Sequence, residues 1–239
     1  FGTYTFRKRG GLYWKVLTTL RYRKNLGGWT NNLGLPNPGI VAGLKKFDPE
    51  TQVLSIAETE RGDYKKLAGE IPEDFPVELN LSCPNLEGKQ GFHRTLPWDA
   101  AEVFLRSATA RKWCIAKLSP LTTPEQLEFL IDELGFTQLH FSNTLPLGGD
   151  GRGGGLSGRV LRPYTLELIR LVRENWGDAV TIIAGGGVSD FGAHDDTSVE
   201  YARDNNFYYV VGEAFQVPTA DNYQPLGGEK HPLSDGKFE

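Results

Sequence analysis

The sequence predicts an α/β protein of the (β/α)8 TIM barrel type, and three observations favour that fold. Short apolar segments with the composition of strands alternate with segments of helical periodicity along most of the chain. At 239 residues the chain has about the length of one such barrel. No change in composition marks a second domain. We therefore expect one barrel domain over residues 1–215, followed by a polar C-terminal tail over residues 216–239.

The predicted strands and helices follow one another in a regular order. Thr123-Pro124-Glu125-Gln126 predicts a helix start, because threonine caps, proline suits the first helical position and glutamine completes a capping box. Further helices are expected at about 63–70, 98–111, 164–176 and 198–204. Seven segments predict strands: Gly2–Phe6, Val53–Ile56, Val77–Leu81, Trp113–Leu118, Leu139–Ser142, Thr181–Ala184 and Phe207–Val211. The turn-forming residues from Gly27 to Gly39 and the glycine-rich segment from Gly148 to Gly158 are interpreted as loops.

A doubly wound sheet is the alternative arrangement of the same elements. No G-x-G-x-x-G pattern follows the first predicted strand, which counts against a dinucleotide-binding fold of that type. Seven strands are one fewer than a closed barrel contains. We expect the missing first strand to precede Phe1, so that the barrel domain in this chain is incomplete at its N-terminal side.

Composition narrows the classes of partner. A formal net charge of −4 counts against a nucleic-acid partner, and no apolar segment is long enough to span a membrane. No signal peptide is visible, and two cysteines do not form a disulfide framework, so a reducing, cytoplasmic location is expected. We expect a small-molecule substrate, and the assembly state, with a homodimer as one candidate, stays open.

The segment from Val77 to Asn85 is the first candidate for chemistry. It begins as a strand and ends in a cluster of amide, hydroxyl and thiol groups that Pro84 excludes from the strand. Ligands of α/β proteins bind at the carboxyl ends of strands. Four asparagines, each at a predicted loop or strand end, suggest recognition of a planar, amide-like ligand: Asn31, Asn80, Asn85 and Asn143.

Two further features suggest an anionic ligand. Gly185-Gly186-Gly187 and Gly212 follow the last two predicted strands, where barrel enzymes commonly bind phosphate through backbone N–H groups. Tight turns are the alternative interpretation of these glycines. Lys117 lies near the end of a strand, where it either meets an anion at the barrel mouth or extends to water.

Cys83 is the candidate acid–base thiol, since it lies at a strand end, whereas Cys114 within a strand is expected to be buried and inert. No histidine and aspartate lie near Cys83 in the sequence as a protease-like triad would need. The four histidines, His93, His140, His194 and His231, show no metal-binding spacing.

These motifs resemble the dihydroorotate dehydrogenase family, flavoproteins that bind FMN on a (β/α)8 barrel, over about Gly2–Phe215. Asn80-Leu81-Ser82-Cys83-Pro84-Asn85 is similar to the catalytic loop of the class 1 branch, in which a cysteine is the base. Gly154-Gly155-Leu156-Ser157-Gly158 is similar to a motif of class 2. Asn31-Asn32-Leu33-Gly34-Leu35 resembles the substrate-binding loop, and Ser142-Asn143-Thr144 resembles the pair that meets flavin and pyrimidine.

The resemblance implies oxidation of dihydroorotate to orotate in pyrimidine biosynthesis, with the hydride passing to flavin N5. Cys83 would be the base that removes the C5 proton. The substrate would be bound by Asn31, the backbone of Leu33, Gly34 and Leu35, and by Asn85, Asn143 and Thr144. The residues implied in binding FMN are Asn80, Lys117, Ser142, Gly158, Gly186, Gly187, Gly212 and Glu213.

Two departures from the family pattern leave alternatives open. The first barrel strand is not in this sequence, and Glu213 replaces a small or hydroxyl residue beside the phosphate, which a carboxylate would repel. The alternatives are a flavin oxidoreductase for another dihydropyrimidine, a non-catalytic barrel of the same family, and, with less support, a phosphate-binding isomerase barrel. The electron acceptor, whether fumarate, quinone or NAD through a partner, is not decided by the sequence.

Overall fold

The structure is a computed structural model of the 239-residue chain. It describes residues 3–81, 95–106, 111–147 and 154–187, together with the backbone at 208–209 and 224–225. Within these ranges the chain forms one large sheet, helices that cover it, and a smaller antiparallel sheet.

Parallel strands of the large sheet form the frame of the molecule. They are β3 (Leu54–Ile56), β4 (Val77–Asn80), β5 (Cys114–Leu118), β6 (Gln138–Phe141), β9 (Thr181–Ala184) and β10 (Tyr208–Tyr209). Each pairs in parallel with the next in this order, and Tyr4 adds a parallel bridge to Ile56 at the β3 side. Because the order never reverses, the sheet lacks the switch point of a doubly wound fold and has the sequential order of a barrel. Within the described residues the barrel is open between the Tyr4 segment and β10.

The two faces of the parallel sheet carry different side chains, as strand periodicity requires. Leu79, Ala116 and Phe141 point outward into the main apolar core, which includes residues of the covering helices. The opposite, inner face carries Ser55, Glu78, Asn80, Lys117 and His140 above a small apolar cluster. That cluster consists of Val53, Ile115 and Ile183, with Trp113 packed against it. The inner face is therefore polar at the carboxyl ends of the strands.

Helices cover the outer face. The main ones are α2 (Ile40–Leu44), α3 (Asp63–Glu70), α4 (Thr95–Ala100), α5 (Pro124–Glu128) and α6 (Arg162–Trp176). α4 continues into a π-helical segment over Ala101–Leu105, and α5 into another over Phe129–Glu133. Tyr64, Leu67 and Phe104 are fully buried against the strands, and each such side chain contributes about 1.5–3 kcal/mol of transfer free energy. The apolar stripe of each helix therefore fixes it to the sheet.

The smaller sheet stands at the carboxyl end of β6. It contains β1 (Arg21–Arg23), β2 (Gly28–Asn31), β7 (Leu145–Pro146) and β8 (Gly155–Ser157) in the antiparallel order β1-β2-β8-β7. A short helix, α1 (Leu12–Thr19), precedes it. Two short strands complete the set, because β10 pairs in antiparallel fashion with β11 (Gln224–Pro225).

Several sequence predictions are confirmed and some are wrong. The predicted helix at 63–70 and the strand Thr181–Ala184 have the predicted bounds, and the capping box of Thr123 and Gln126 is present. The strand expected at Gly2–Phe6 is reduced to the bridge at Tyr4. The helix expected at 98–111 begins at Thr95 and ends at Leu105.

The loop interpretation is wrong in two places, since Gly28–Asn31 and Gly155–Ser157 are strands. The clustered glycines led to the loop prediction. Gly27 is in fact the last residue of the tight hairpin connection between β1 and β2, where it adopts a left-handed φ of 61°. Gly28 lies so close to Ser157 that an added Cβ would be 2.3 Å from the Ser157 carbonyl oxygen. Glycine here permits close approach of two strands.

Candidate active site at the carboxyl ends of the strands

Polar side chains meet at the carboxyl ends of β4, β5 and β6. Asn80 and Lys117 are level with each other in the strand register, and Lys117 is level with His140. Asn143 follows β6, and its backbone N–H donates to the Leu118 carbonyl oxygen at 2.8 Å. We call the group formed by Asn80, Lys117 and Asn143 the rim. The structure thus brings together three of the residues implied in binding.

Side-chain hydrogen bonds connect the rim to the barrel interior. Asn143 Nδ2 donates to Asn80 Oδ1 at 2.7 Å, and Asn80 Nδ2 donates to Thr3 Oγ1 at 3.1 Å. Thr3 Oγ1 in turn lies 3.1 Å from Ser55 Oγ. These bonds join four elements of the barrel, so that the amide of Asn143 has a defined orientation.

Glu78 lies below the rim and is 1% exposed. Its Oε1 accepts a hydrogen bond from Ser55 Oγ at 2.8 Å and lies 3.6 Å from Lys117 Nζ. Its Oε2 lies 2.5 Å from Nδ1 of His140, which is also buried. We call Glu78, His140, Ser55 and Lys117 the interior cluster.

The ionisation of the interior cluster follows from these contacts. Burial alone would raise the pKa of Glu78, but Lys117 and the bonds from His140 and Ser55 outweigh it, so the pKa lies far below its usual range. Burial, reinforced by the charge of Lys117, lowers the pKa of His140 despite the opposing effect of Glu78. His140 is therefore a neutral imidazole at neutral pH, and its Nδ1–H donates to an ionised Glu78.

A glycine turn follows β9 at the same end of the sheet. Gly186 and Gly187 have φ values of 76° and 85°, a left-handed conformation that favours glycine. A Cβ added to Gly187 would lie 2.4 Å from the backbone nitrogen of Arg162, the first residue of α6. Ser142 Oγ would lie 3.0 Å from a Cβ on Gly186. The turn therefore lies against the N-terminus of a 15-residue helix, which favours an anion.

The smaller sheet carries Asn31 toward the rim. β7 begins directly after Thr144, and Asn31 is in register with Gly155, which is in register with Pro146. Asn31 thus lies two strand spacings, about 10 Å, from the segment that leaves the rim. It is 6% exposed, whereas the neighbouring Trp29 on the same strand is 47% exposed.

The loop after β2 has a fixed backbone. Gly34 and Leu35 both have left-handed φ values, 66° and 54°. The Gly34 carbonyl oxygen accepts a hydrogen bond from Arg9 Nε at 2.8 Å, and the Leu35 carbonyl oxygen accepts one from Asn37 Nδ2 at 2.8 Å. These bonds orient the carbonyl groups of the segment Leu33–Leu35, which was predicted to bind a carboxylate through its backbone.

The remaining predicted site residues divide into two groups. Ser142 lies at the end of β6, where its backbone N–H donates to the Gly185 carbonyl oxygen at 3.1 Å, and Gly158 follows β8. Cys83, Asn85, Gly212 and Glu213 lie outside the described residues. Cys114 is buried as expected, and burial raises the pKa of its thiol to about 12.

Sequence reasoning missed the roles of Glu78 and His140. Strand alternation could have indicated them, because Glu78 precedes Asn80 by two residues and His140 precedes Ser142 by two, so each pair shares one face. No described set of three or more His, Cys, Asp or Glu side chains is arranged to hold a metal ion. Among the helices of the described ranges, none has the length and apolar character that crossing a membrane requires.

The sequential order of the strands and the polar rim define an α/β barrel protein with a candidate site at the carboxyl ends of its strands. A model of the dihydroorotate dehydrogenase family matches residues 18–197, well over half of the chain. The chain belongs to the dihydroorotate dehydrogenase family, whose members are oxidoreductases acting on CH–CH bonds.

Bacterial relatives agree with this assignment. The chain is 29% identical to the catalytic subunit of dihydroorotate dehydrogenase B (NAD(+)) of Bacillus cytotoxicus, and 28% identical to that of Bacillus cereus. Each match covers 87% of this chain and 70% of the relative.

Solved structures show the same fold. A dihydroorotate dehydrogenase from Eimeria tenella in complex with ferulenol aligns with a TM-score of 0.55 at 20% identity, over 78% of this chain and 62% of the other. The ligand-free form aligns with a TM-score of 0.57 at 18% identity, over 78% and 65%. This chain therefore spans less than two thirds of those solved chains.

The described residues offer groups that suit a flavin cofactor. The glycine turn against the N-terminus of α6 suits a phosphate, since backbone N–H groups and the helix dipole both favour an anion. Lys117 and Asn80, at the opposite side of the strand ends, offer a cation and an amide to a planar, polar ring edge.

Proposed function

We propose that this protein is an FMN-dependent dehydrogenase that oxidises dihydroorotate to orotate in pyrimidine biosynthesis. One arrangement carries the proposal: Asn80, Lys117 and Asn143 reach a common rim from three neighbouring strands, in a chain of the dihydroorotate dehydrogenase family. Lys117 and the two amides match a flat, polar substrate on a flavin.

FMN, when bound, would accept a hydride from substrate carbon C6. Gly186, Gly187 and Gly158, with Gly212 and Glu213 after the last predicted strand, would lie around its phosphate, and Ser142 would contact it from β6. Asn80 would support its ring, and the Lys117 ammonium would favour the negative charge that the ring gains on reduction. Glu213 must turn away from the phosphate, because two like charges in contact repel each other.

The substrate would be held by amides and backbone groups from both sheets. Asn143 and Thr144 follow β6, Asn31 ends β2, and Asn85 comes five residues after the end of β4 in the sequence. The backbone of Leu33–Leu35 would bind the substrate carboxylate. Contacts from several independent elements would fix the orientation of the ring, so that the C6–H bond would be held toward the flavin.

Cys83 would complete the reaction as the base. Its thiolate takes the proton from C5 while the hydride leaves C6, so that a C5–C6 double bond forms and the substrate loses one proton and one hydride in total. A free thiol has a pKa near 8.5, so Cys83 needs surroundings that favour the thiolate at neutral pH. The pH dependence of flavin reduction reports that ionisation.

Reconstitution with FMN followed by anaerobic mixing with dihydroorotate tests the proposal. We expect the purified protein to take up FMN and the flavin absorbance to bleach on mixing. Cys83→Ala is expected to retain FMN and to lower the bleaching rate by at least 100-fold, whereas Cys114→Ala, at a site buried in the sheet, keeps the rate. A protein that takes up no FMN, or a Cys83→Ala variant that reduces its flavin at the parental rate, contradicts the proposal.

A flavin oxidoreductase for another dihydropyrimidine is the second candidate, because the rim amides recognise features that these rings share. Dihydrouracil lacks the carboxylate that the Leu33–Leu35 backbone would bind. Bleaching by dihydrouracil but not by dihydroorotate therefore indicates the second candidate.

A further inference from the structure

Glu78 is a buried, ionised carboxylate that the proposed reaction does not use. Three other strands supply partners to it: Ser55 on β3, Lys117 on β5 and His140 on β6. Burial of an unpaired carboxylate is very unfavourable, so each of these contacts is needed to keep the charge inside the barrel. Such a buried charge demands an explanation beyond packing.

The register of the strands shows where the carboxylate acts. Glu78 is level with Ile115, whereas Lys117 is level with Asn80, one layer nearer the rim. The Lys117 side chain, 20% exposed, therefore has the open rim on one side and Glu78 Oε1 on the other, 3.6 Å from Nζ. A lysine is a point charge on a flexible stem of four carbons, so an anchor decides where its ammonium stays.

His140 and Ser55 orient that anchor. The neutral His140 donates from Nδ1 to Oε2, and Ser55 donates to Oε1. A Cβ on Gly185 would lie 2.7 Å from His140 Nε2, so only a glycine leaves the imidazole in this position. The carboxylate therefore has one orientation, with Oε1 toward Lys117.

We propose that Glu78 is a positioning residue: its carboxylate, oriented by His140 and Ser55, holds the Lys117 ammonium on the inner side of the rim. This inference rests on the function proposed above, in which Lys117 favours the reduced flavin. Through Lys117, Glu78 raises the reduction potential of the flavin. A direct effect of its negative charge would have the opposite sign, because an anion near the flavin disfavours reduction.

Glu78→Gln separates the two effects, since glutamine has nearly the same shape without the charge. We expect the variant to bind FMN and its flavin to become harder to reduce. At a fixed solution potential we expect the ratio of reduced to oxidised flavin to fall at least tenfold. For a two-electron couple this corresponds to a decrease of about 30 mV in the reduction potential. The measurement is an anaerobic titration against a reference dye, and it does not require turnover.

A double-mutant cycle tests the route through Lys117. In a Lys117→Met background we expect Glu78→Gln to change the ratio less than twofold, because the residue through which Glu78 acts is gone. If Glu78→Gln changes the ratio of reduced to oxidised flavin equally in the parent and in the Lys117→Met background, the inference is overturned. An unchanged or higher potential in Glu78→Gln overturns it as well.

His140 supplies a second pair of variants in case Glu78→Gln does not fold. Asparagine can place a donor near the position of Nδ1, whereas leucine cannot. We expect His140→Leu to lower the ratio of reduced to oxidised flavin at least threefold and His140→Asn to keep it within twofold. Equal ratios in both variants overturn the role of His140. A parent protein that binds no flavin overturns the proposed function itself, which is a distinguishable result.

Discussion

In the barrel interior, Glu78 is 1% exposed and both of its carboxylate oxygens have partners on other strands. In the smaller sheet, by contrast, all three residues of β1 are exposed, and Tyr22 and Trp29 pack on each other at the surface with ring centroids 5.4 Å apart. The groups implied in binding flavin thus stand on a frame fixed from several sides. Asn31, implied in binding substrate, stands on a sheet with one open face. Substitutions in the interior should therefore cost more stability than substitutions in the smaller sheet.

Glu78→Ala should have the largest effect on stability. The substitution leaves Lys117, His140 and Ser55 around a cavity without the carboxylate that they contact. Breaking a buried ion pair costs about 3–5 kcal/mol. Urea unfolding of the parent and the variant measures the difference, and a loss below about 1 kcal/mol would contradict the importance of the interior cluster.

Gly154→Ala should disturb the smaller sheet and through it Asn31. Gly154 has a φ of 75°, and an added Cβ would lie 2.1 Å from the backbone oxygen of Asn31. We expect a loss of about 1–3 kcal/mol in the free energy of unfolding, together with a higher KM for substrate. Gly69→Ala in α3 is the control, because nothing lies within 4 Å of its added Cβ and alanine favours the helix. A parental KM in Gly154→Ala would contradict a role of Asn31 in binding the substrate.

The pH dependence of stability should reveal His140. Its pKa is lower in the folded than in the unfolded protein, so below about pH 6.5 the unfolded state binds the proton that the folded state excludes. Stability is therefore lost as the pH falls below that value, while Glu78, with its lowered pKa, stays ionised. Between pH 7 and 5.5 we expect the parent to lose more stability than His140→Asn, up to the limit of about 1 kcal/mol that protonation of the unfolded state alone sets. Urea unfolding at each pH measures the free energy of unfolding. Parallel curves of this free energy against pH for the parent and His140→Asn would contradict a buried neutral imidazole.

Tyr22→Ala should have the smallest effect of these substitutions. It removes a half-exposed ring that packs on Trp29, and such aromatic pairs contribute about 0.5–1.5 kcal/mol. The interior cluster should be unaffected, so the reduction potential of a bound flavin should not change. Urea unfolding measures the effect. A loss of unfolding free energy as large as that in Glu78→Ala would contradict the difference in stability between the barrel interior and the smaller sheet.

Much of the fold could be predicted because its signals are local. The capping box at Thr123 and the nearly continuous apolar run Thr181–Ala184 need only a few residues to be recognised. The smaller sheet could not be predicted in the same way. Its pairing joins β2 to β8, which are more than 120 residues apart in sequence. Gly28 and Gly154 permit close approach of the backbones, but they also give these segments the composition of loops.

The candidate site was predictable only in part for a similar reason. Asn80, Lys117 and Asn143 stood out because they lie near or just beyond the ends of predicted strands. Glu78 and His140 did not, since strand alternation places them on the same faces as Asn80 and Ser142 but does not show which side chains of other strands they meet. Only the pairing of β4, β5 and β6, with Glu78 level with Ile115 and His140 level with Lys117, brings the two side chains together from adjacent layers. The roles assigned to Cys83, Asn85, Gly212 and Glu213 stay predictions.

The rim at the carboxyl ends of β4, β5 and β6 is proposed to place Asn143 against the substrate. Anaerobic mixing of FMN-loaded Asn143→Ala with dihydroorotate tests it most directly, with Asn175→Ala, a surface asparagine on α6, as the control. Loss of a buried polar contact to substrate should lower kcat/KM for flavin reduction by about 10–100-fold in Asn143→Ala, with no change in the control. Equal rates in Asn143→Ala and the parent would contradict the claim.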